Sequence, residues 1–122
     1  IILHIFAYPY IRMLTEISQF YKTCSEPVRL RILNILLNNQ QVCVCDLVTT
    51  LDLQQSRISR HLTYLKNANI VTVSRSGTWR YYEINSKLST DKQDVLTILK
   101  VQLLQDEQCC ADINQFKTSC CD

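Results

Sequence analysis

The stretch QQSRISRHLTYLKNANIVTVSRSGTWRYYEI, Gln54 to Ile84, changes from a helical pattern to a strand pattern part-way along its length. Ile58, Leu62 and Leu65 recur at spacings of four and three, which predicts a helix with one buried face. β-Branched and aromatic residues then alternate on both sides of Gly77, which supplies the positive φ that a tight hairpin requires. The stretch therefore predicts a helix followed by a two-stranded wing.

Further helices are predicted on both sides of this stretch. Apolar residues at helical spacing mark a first helix around Leu14 to Tyr21, and Glu26 and Pro27 suit the first turn of a second, EPVRLRILNILLNN. CDLVTTLDL predicts a short third helix, and its tight turn into the fourth indicates a helix-turn-helix. TDKQDVLTILKVQLLQ predicts the last helix. We expect a mainly α protein with a small β-hairpin, a winged helix-turn-helix that dimerises through its first and last helices.

Chain length and composition predict the domain organisation and the compartment. The 122 residues suit one domain, which we place at residues 14–105. Residues 1–13 are interpreted as an extension of doubtful origin, because the chain begins with Ile and Met13 directly precedes the first well-patterned helix; the alternative is an arm that packs in the dimer. Residues 106–122 are interpreted as a Cys-rich tail. The apolar opening is too short for a membrane span, and the odd number of cysteines without a signal-peptide pattern favours a reducing cytoplasm.

The distribution of charge points to nucleic acid more than the net charge does. The net charge is only +2, but the segment from Gln54 to Tyr82 carries five basic residues and no Asp or Glu. Arginines bond guanine edges or phosphates, and short polar side chains hold phosphates. The predicted DNA-binding residues on the fourth helix and the wing are Gln55, Ser56, Arg57, Ser59, Arg60, His61, Arg75 and Arg80. Trp79 and Tyr82, by contrast, are expected to pack in the core.

Three segments, CVCDL, SRISRHLTYLKNANIV and GTWRYYEI, resemble the metal box, recognition helix and wing of the ArsR/SmtB family of bacterial repressors. The resemblance covers roughly Leu14 to Leu104. Members of that family are winged helix-turn-helix homodimers that occupy an operator when metal-free and leave it when metal binds. The resemblance therefore implies a repressor and not an enzyme, with double-stranded operator DNA as its partner.

The spacing of Cys43 and Cys45 sets a geometric problem for metal binding. Positions i and i+2 of an ideal helix point to widely separated sides, so binding one ion is expected to distort the start of the third helix. Thiolates favour soft ions, and with only His4 and His61 the chain offers no imidazole-rich zinc site. The family resemblance implies As(III) or Sb(III), bound through sulfur, as the inducer.

The third sulfur of the predicted site is left open by the sequence. Arsenic repressors of the family commonly carry a third Cys one turn after the second, where this chain has Val48. We expect Cys43 and Cys45, together with Cys109 and Cys110, to bind metal in one site or two. Cys120 and Cys121 are further candidates, unless the tail is mobile and its thiols do little. Cys24 is interpreted as a buried residue that binds no metal.

Two alternative functions remain at the level of the sequence. The same fold could sense cadmium, lead or an oxidant through its cysteine pairs. Paired cysteines also occur in thiol redox enzymes such as an arsenate reductase. The enzyme alternative is disfavoured because the chain lacks an oxyanion-cradling loop and a C-x-x-C motif between a strand and a helix.

Overall fold

The computed structural model describes the backbone of residues 7–117 and the side chains of residues 13–117. It contains six helices and three strands within that range. The elements are α1 (Ala7–Cys24), α2 (Pro27–Leu37), β1 (Val42–Cys43), α3 (Val44–Leu51), α4 (Gln55–Asn67), β2 (Val71–Ser76), β3 (Trp79–Ile84), α5 (Thr90–Leu103) and α6 (Glu107–Gln115). The predictions for His4, Cys120 and Cys121 lie outside the described residues. α1 begins before Met13, so the helix includes part of the predicted N-terminal extension.

The central helix α2 starts where the sequence predicts a first helical turn. Glu26 is its N-cap, and its carboxylate accepts a hydrogen bond from the backbone N–H of Arg29 at 2.9 Å. Pro27 follows at the first helical position, where its missing N–H costs nothing. Ile32, Leu33 and Ile35 are fully buried, so nearly the whole circumference of α2 faces protein. This helix forms the centre of the core.

The helix-turn-helix consists of α3 and α4. Asp52 ends α3 with a left-handed backbone, which turns the chain toward α4 within three residues. Leu47 of α3 and Ile58 and Leu62 of α4 are fully buried and belong to one core cluster with α2. The buried faces of the two helices therefore fix which side of α4 points to solvent.

The wing, formed by β2 and β3, is part of a three-stranded antiparallel sheet. Gly77 takes a φ of 63° at the hairpin turn, as its position in the sequence predicts. The strand order is β1-β3-β2, with Val42 opposite Tyr82 and Cys43 opposite Tyr81. The third strand, β1, is too short to be recognised in the sequence. It ties the start of α3 directly to the wing.

The segment beyond α5 differs from the Cys-rich tail predicted for residues 106–122. Residues 107–115 form α6, which packs on α2 and contacts α3. Asp106 caps this helix by accepting a hydrogen bond from the Cys109 N–H at 2.9 Å. Arg31 of α2 forms a two-pronged salt bridge with Asp112, at 2.8 and 2.9 Å. Residues 107–115 of this segment are therefore helical, and the ion pair between Arg31 and the fully buried Asp112 holds α6 against the core.

The first and fifth helices retain exposed apolar faces. Large hydrophobic side chains on them are 42–63% exposed, namely Met13, Leu14, Ile17, Tyr21, Ile98 and Val101. Such a surface on a small domain is typical of a protein interface. No helix among the described residues is both long enough and apolar enough to span a bilayer.

Candidate nucleic-acid interface and thiol site

The exposed face of α4 carries most of the residues predicted to contact DNA. Gln55, Ser56, Arg57 and Arg60 are exposed, and Ser59 is half-buried. Three fully buried residues, Ile58, Leu62 and Leu65, anchor the opposite face of the helix. The basic and short polar side chains therefore stand together on the outer surface, as a helix that enters a groove requires.

His61 points away from this face, although the sequence places it in the DNA-binding set. Its Nδ1 atom lies 3.2 Å from an Arg29 guanidinium nitrogen and 3.6 Å from a Glu26 carboxylate oxygen. Burial lowers the pKa of His61; Arg29, Arg57 and Arg60 also lower it, while Glu26 opposes the shift. His61 follows Arg60 on α4, and one residue corresponds to a rotation of about 100° around a helix. Its ring is therefore directed at the N-terminus of α2 and not at the exposed face of α4.

The wing presents two arginines directly opposite each other. Arg75 of β2 pairs in register with Arg80 of β3, and both side chains are exposed. Like charges directly opposite in a sheet are destabilising unless an anion lies between or beside them. A phosphate group is an anion of this kind.

The two aromatic residues expected in the core behave differently. Tyr82 is only 6% exposed and belongs to the core cluster, as predicted. Trp79 is 41% exposed, so its core prediction is wrong. The physical reason is its place beside the hairpin turn, opposite Ser76, where the wing extends beyond the buried part of the sheet.

The sulfurs of Cys43 and Cys45 lie 3.0 Å apart. Cys43 precedes α3, and Cys45 lies in its first turn. Cys43 is the N-cap residue, with an extended backbone (φ −76°, ψ 144°), so the helical angle between i and i+2 does not apply. The angle between positions of an ideal helix therefore does not keep the two sulfurs apart, and they already meet beside an intact α3.

The thiol pair opens onto a cavity of about 230 Å³ between α3, α4 and the wing. We call this cavity the thiol cleft. The residues that line it come from β1, α3, α4 and the wing with its turn: Cys43, Val44, Cys45, Gln55, Ser59, Thr78, Trp79 and Arg80. Three of these, Gln55, Ser59 and Arg80, belong to the predicted DNA-binding set. The cleft therefore joins the thiols to the candidate nucleic-acid interface.

The second cysteine pair lies on α6, in a different environment. Cys109 is 4% exposed, and its carbonyl accepts a hydrogen bond from the Asn34 side chain at 3.0 Å. Burial, followed by the nearby Asp106 carboxylate, raises the pKa of the Cys109 thiol to about 11. The Cys110 thiol donates to the Leu104 carbonyl at 2.9 Å. Metal binding requires a thiolate, so the raised pKa disfavours Cys109 as a ligand.

Within residues 13–117, no three or more His, Cys, Asp or Glu side chains are grouped so that they could hold a metal ion. The structure thus does not bring Cys109 or Cys110 to the Cys43 and Cys45 pair within one chain. Cys24 is half-buried, and burial raises its pKa to about 11, in line with its interpretation as a residue that binds no metal. Val48, at the position of the family's third Cys, packs against the core.

Sequence reasoning missed Thr78 and Trp79 as neighbours of the thiols. Val42 and Cys43 are residue types that suit a strand, and recognising β1 would have predicted that it pairs with the wing near Thr78 and Trp79. Two residues are too few for the alternation of a strand to be recognised, and the pairing partners, Tyr81 and Tyr82, lie far along the chain.

Comparisons with known proteins agree with this architecture. The model of a family described as "Bacterial regulatory protein, arsR family" matches residues 26–73. The chain is 31% identical to the arsenical resistance operon repressor of Bacillus subtilis, over 89% of this chain and 93% of that protein. It is 33% identical to the cadmium resistance transcriptional regulatory protein CadC of Listeria innocua, over 58% of this chain and 60% of that protein.

Among solved structures, the chain resembles the homodimeric winged helix-turn-helix DNA-binding domain Mb0332 of Mycobacterium bovis, a possible ArsR-family transcriptional regulator. The TM-score is 0.65 at 26% identity, with 80% of this chain and 84% of that chain covered. The predicted winged helix-turn-helix fold is confirmed. The similar proteins are transcriptional regulators, which also confirms the expectation of a regulator in place of an enzyme.

Proposed function

The chain belongs to the arsR family of bacterial regulatory proteins, and we propose that it is a homodimeric repressor that releases operator DNA when As(III) or Sb(III) binds Cys43 and Cys45. One observation carries the proposal. The two sulfurs lie 3.0 Å apart in a cleft whose other walls are α4 and the wing. An ion bound there lies within the surface that contacts DNA.

The DNA complex is proposed to use α4 in a major groove and the wing along the backbone. Arg57 and Arg60 stand on the exposed face of α4, where bidentate contacts to guanine edges are available to an arginine. Arg75 and Arg80 at the wing supply phosphate contacts. The B. subtilis relative is an operon repressor, which supports this assignment.

The homodimer is proposed to form through α1 and α5. Both helices carry exposed apolar side chains, including Leu14 at 63% and Ile98 at 60%. Burying them is favourable at roughly 25 cal/mol per Å² of apolar surface. The M. bovis structure is a homodimer of the same fold, which supports two α4 helices per assembly and a two-fold symmetric operator.

The geometry of the thiol pair suits a soft ion. Two thiolates about 2.3 Å from one ion lie about 3.3 Å apart at a right angle and about 3.8 Å apart at the tetrahedral angle. The observed 3.0 Å separation needs to open by only a few tenths of an ångström for a pyramidal trivalent ion. Sulfur ligands select thiophilic ions over hard ones.

Release of DNA is proposed to follow from the shared position of the thiols and the wing. Cys43 pairs through its backbone with Tyr81, the residue next to Arg80 in β3. Opening the sulfur pair around an ion therefore moves the strand that carries Arg80, relative to Ser59 and Gln55 on α4. A coupling free energy of about 1–3 kcal/mol changes DNA affinity about 5–150-fold.

The experiment is a DNA-binding titration on reduced protein with a labelled fragment of its own promoter. Fluorescence anisotropy is expected to show specific binding that arsenite reverses. The Cys43→Ser/Cys45→Ser variant is expected to bind the same fragment and to ignore arsenite. Cys110→Ser is the matched control, because that thiol lies outside the cleft, and it should respond like the parent protein. Arsenite release that survives loss of both Cys43 and Cys45 contradicts the proposal.

A second candidate keeps the fold and changes the inducer to cadmium or lead. It is favoured by the similarity to the Listeria regulator, whose name assigns it to cadmium resistance. Parallel titrations with arsenite, antimonite, Cd²⁺, Pb²⁺ and hydrogen peroxide decide between the inducers. Release at the lowest concentration by Cd²⁺ or Pb²⁺ would support this candidate, and release by peroxide alone would indicate an oxidant sensor.

A further inference from the structure

We propose that Arg29 is a positioning residue for DNA binding: it fixes α4 against the end of α1 and thereby sets the relative orientation of the two α4 helices in the dimer. This inference rests on the proposed function, in which α1 forms the dimer and α4 enters the DNA groove. It adds a residue that acts through α4 without itself contacting DNA.

The side chain of Arg29 connects two helices that are distant in the sequence. Its Nε donates a hydrogen bond to the backbone carbonyl of Thr23, in the last turn of α1, at 2.7 Å. Its Nη1 lies 3.2 Å from the Nδ1 atom of His61 on α4. The same guanidinium lies over the ring of Tyr64, also on α4, with its carbon 4.9 Å from the ring centroid. One side chain therefore contacts the end of α1 and two neighbouring positions on one face of α4.

These three contacts use properties that are specific to a guanidinium group. The last carbonyls of a helix have no partner within the helix, so the Nε–H of Arg29 satisfies such an acceptor at Thr23. A guanidinium only donates, so the Nδ1 atom of His61 accepts the second bond and its ring is neutral, in line with its lowered pKa. The planar group also covers an aromatic face while its edge donates. A lysine ammonium is a point charge and does not make the same set of contacts.

The backbone from which Arg29 extends is itself held in place. Only Ser25 and Glu26 separate α1 from α2, so the distance between the two helices is short and restrained. The Glu26 carboxylate accepts a hydrogen bond from the Arg29 N–H at 2.9 Å, and Thr23 is only 2% exposed. Arg29 is half-buried. Both ends of the link are therefore ordered before DNA binds, so that little conformational entropy is lost in the complex.

The orientation of α4 relative to α1 matters because a dimer reads two half-sites at once. The half-sites of a two-fold symmetric helix-turn-helix complex lie about 34–36 Å apart, one turn of DNA. If α1 packs in the dimer, the angle between α1 and α4 decides how far apart the two α4 helices lie. A rotation of α4 displaces Arg57 and Arg60 on both subunits. Arg29 is therefore expected to contribute more to binding of a correctly spaced operator than to general affinity for DNA.

The experiment measures spacing preference with a promoter fragment on which the protected site is first mapped by footprinting. The reduced full chain, Arg29→Gln and Arg29→Lys are titrated with this fragment and with one that carries an extra base pair at the centre of the site. Both variants are expected to bind the original fragment about tenfold more weakly than the parent. The insertion rotates one half-site by about 35°. It should weaken the parent by a larger factor than either variant, because α4 is no longer held at one angle in the variants.

The dependence of affinity on salt separates positioning from direct contact with DNA. Loss of a residue that binds a phosphate lowers the slope of log K against log salt by about 0.9. Arg29→Gln is expected to leave this slope unchanged. Lys22→Gln is the matched control, because it removes one positive charge from an exposed position in the last turn of α1. It should keep the affinity and the spacing preference of the parent.

The same link can be broken from the side of α4. His61→Ala/Tyr64→Leu removes both contacts that α4 makes with Arg29 and leaves the arginine in place. This double variant is expected to reproduce the weaker binding and the reduced spacing preference of Arg29→Gln. Adding Arg29→Gln to it should cost little more, because residues that act as one link are not additive. It also replaces Arg29→Gln in the test should that variant not fold, as judged by circular dichroism.

Parent-like affinity and spacing preference in Arg29→Lys overturn the inference, since charge alone would then suffice. A lower salt slope for Arg29→Gln overturns it as well, because Arg29 would then be a phosphate contact. In either case the proposed function stands if the parent binds its promoter and arsenite releases it through Cys43 and Cys45. If the parent shows no specific binding to its promoter, the proposed function fails and this inference fails with it.

Discussion

The two cysteine pairs of the described chain differ in what surrounds them. Cys43 and Cys45, separated by one residue, bring their sulfurs to 3.0 Å and line a cleft shared with α4 and the wing. Cys109 and Cys110 are adjacent in sequence, yet one is buried against α2 and the other bonds the Leu104 carbonyl. Backbone conformation, and not spacing alone, decides whether two thiols meet.

The difference follows from the helix boundary. An N-cap residue has an extended backbone, so Cys43 directs its sulfur back over the first turn, where Cys45 lies. Both members of the second pair are inside α6, where successive side chains point about 100° apart. The sulfurs of the first pair therefore lie together, as the proposed thiolate site requires, whereas Cys109 of the second pair is buried.

The largest expected effect tests whether α6, which carries the second cysteine pair, contributes to the stability of the fold. Arg31→Met leaves the fully buried Asp112 carboxylate without its ion-pair partner, although Gln108 still donates to it at 3.0 Å. We expect a loss of about 3 kcal/mol in the free energy of unfolding, measured by urea denaturation. The double variant Arg31→Met/Asp112→Leu should recover much of the loss. A double variant no more stable than the single one would contradict a buried ion pair.

Thiol reactivity sharpens the comparison directly. With its pKa raised from near 9 to about 11, the Cys109 thiol has about 100-fold less thiolate than an ordinary thiol at pH 8. A short iodoacetamide pulse read by peptide mass spectrometry should label Cys109 about 100-fold more slowly in folded than in urea-unfolded protein. Cys45 should show a smaller ratio. Equal labelling rates for Cys109 and Cys45 in the folded protein would contradict the proposed difference between the two cysteine pairs.

DNA affinity tests the region around the first pair. Arg80→Gln removes a charge that borders the thiol cleft, so promoter affinity should fall and its dependence on salt should weaken. The slope of log K against log salt is expected to decrease by about 0.9 for each phosphate that the protein no longer neutralises. Lys22→Gln is the control, because Lys22 lies on α1, outside the proposed DNA-binding surface. An unchanged slope for Arg80→Gln would show that Arg80 on the wing does not contact DNA phosphates.

The smallest expected effect concerns His61, which links α4 to the N-terminus of α2. Its pKa is lowered in the folded protein, chiefly by burial, so the unfolded chain takes up the proton first as the pH falls. Stability is therefore unaffected well above pH 6.5 and is lost as the pH falls below that value. Thermal melts between pH 7.5 and 5.5 should show a shallower decline for His61→Gln. Parallel declines would show that His61 carries no such penalty.

Much of the fold follows from local patterns. The apolar spacing in α4 predicts that helix, and the alternation on both sides of Gly77 predicts the wing. Each pattern arises because one face of a single element is buried. The exposed basic face of α4 follows for the same reason. His61 departs from its prediction because one helical step turns its ring toward Glu26 and Arg29.

The sequence by itself determined the helix-turn-helix, the wing and the thiol spacing, since these depend on neighbours within a few residues. Only the tertiary structure decided that β1 pairs Cys43 with Tyr81, that Arg31 holds α6, and that Trp79 lines the same cleft as the thiols. Each of these contacts joins residues far apart in the chain. Their formation depends on how separate elements pack, which no local periodicity records.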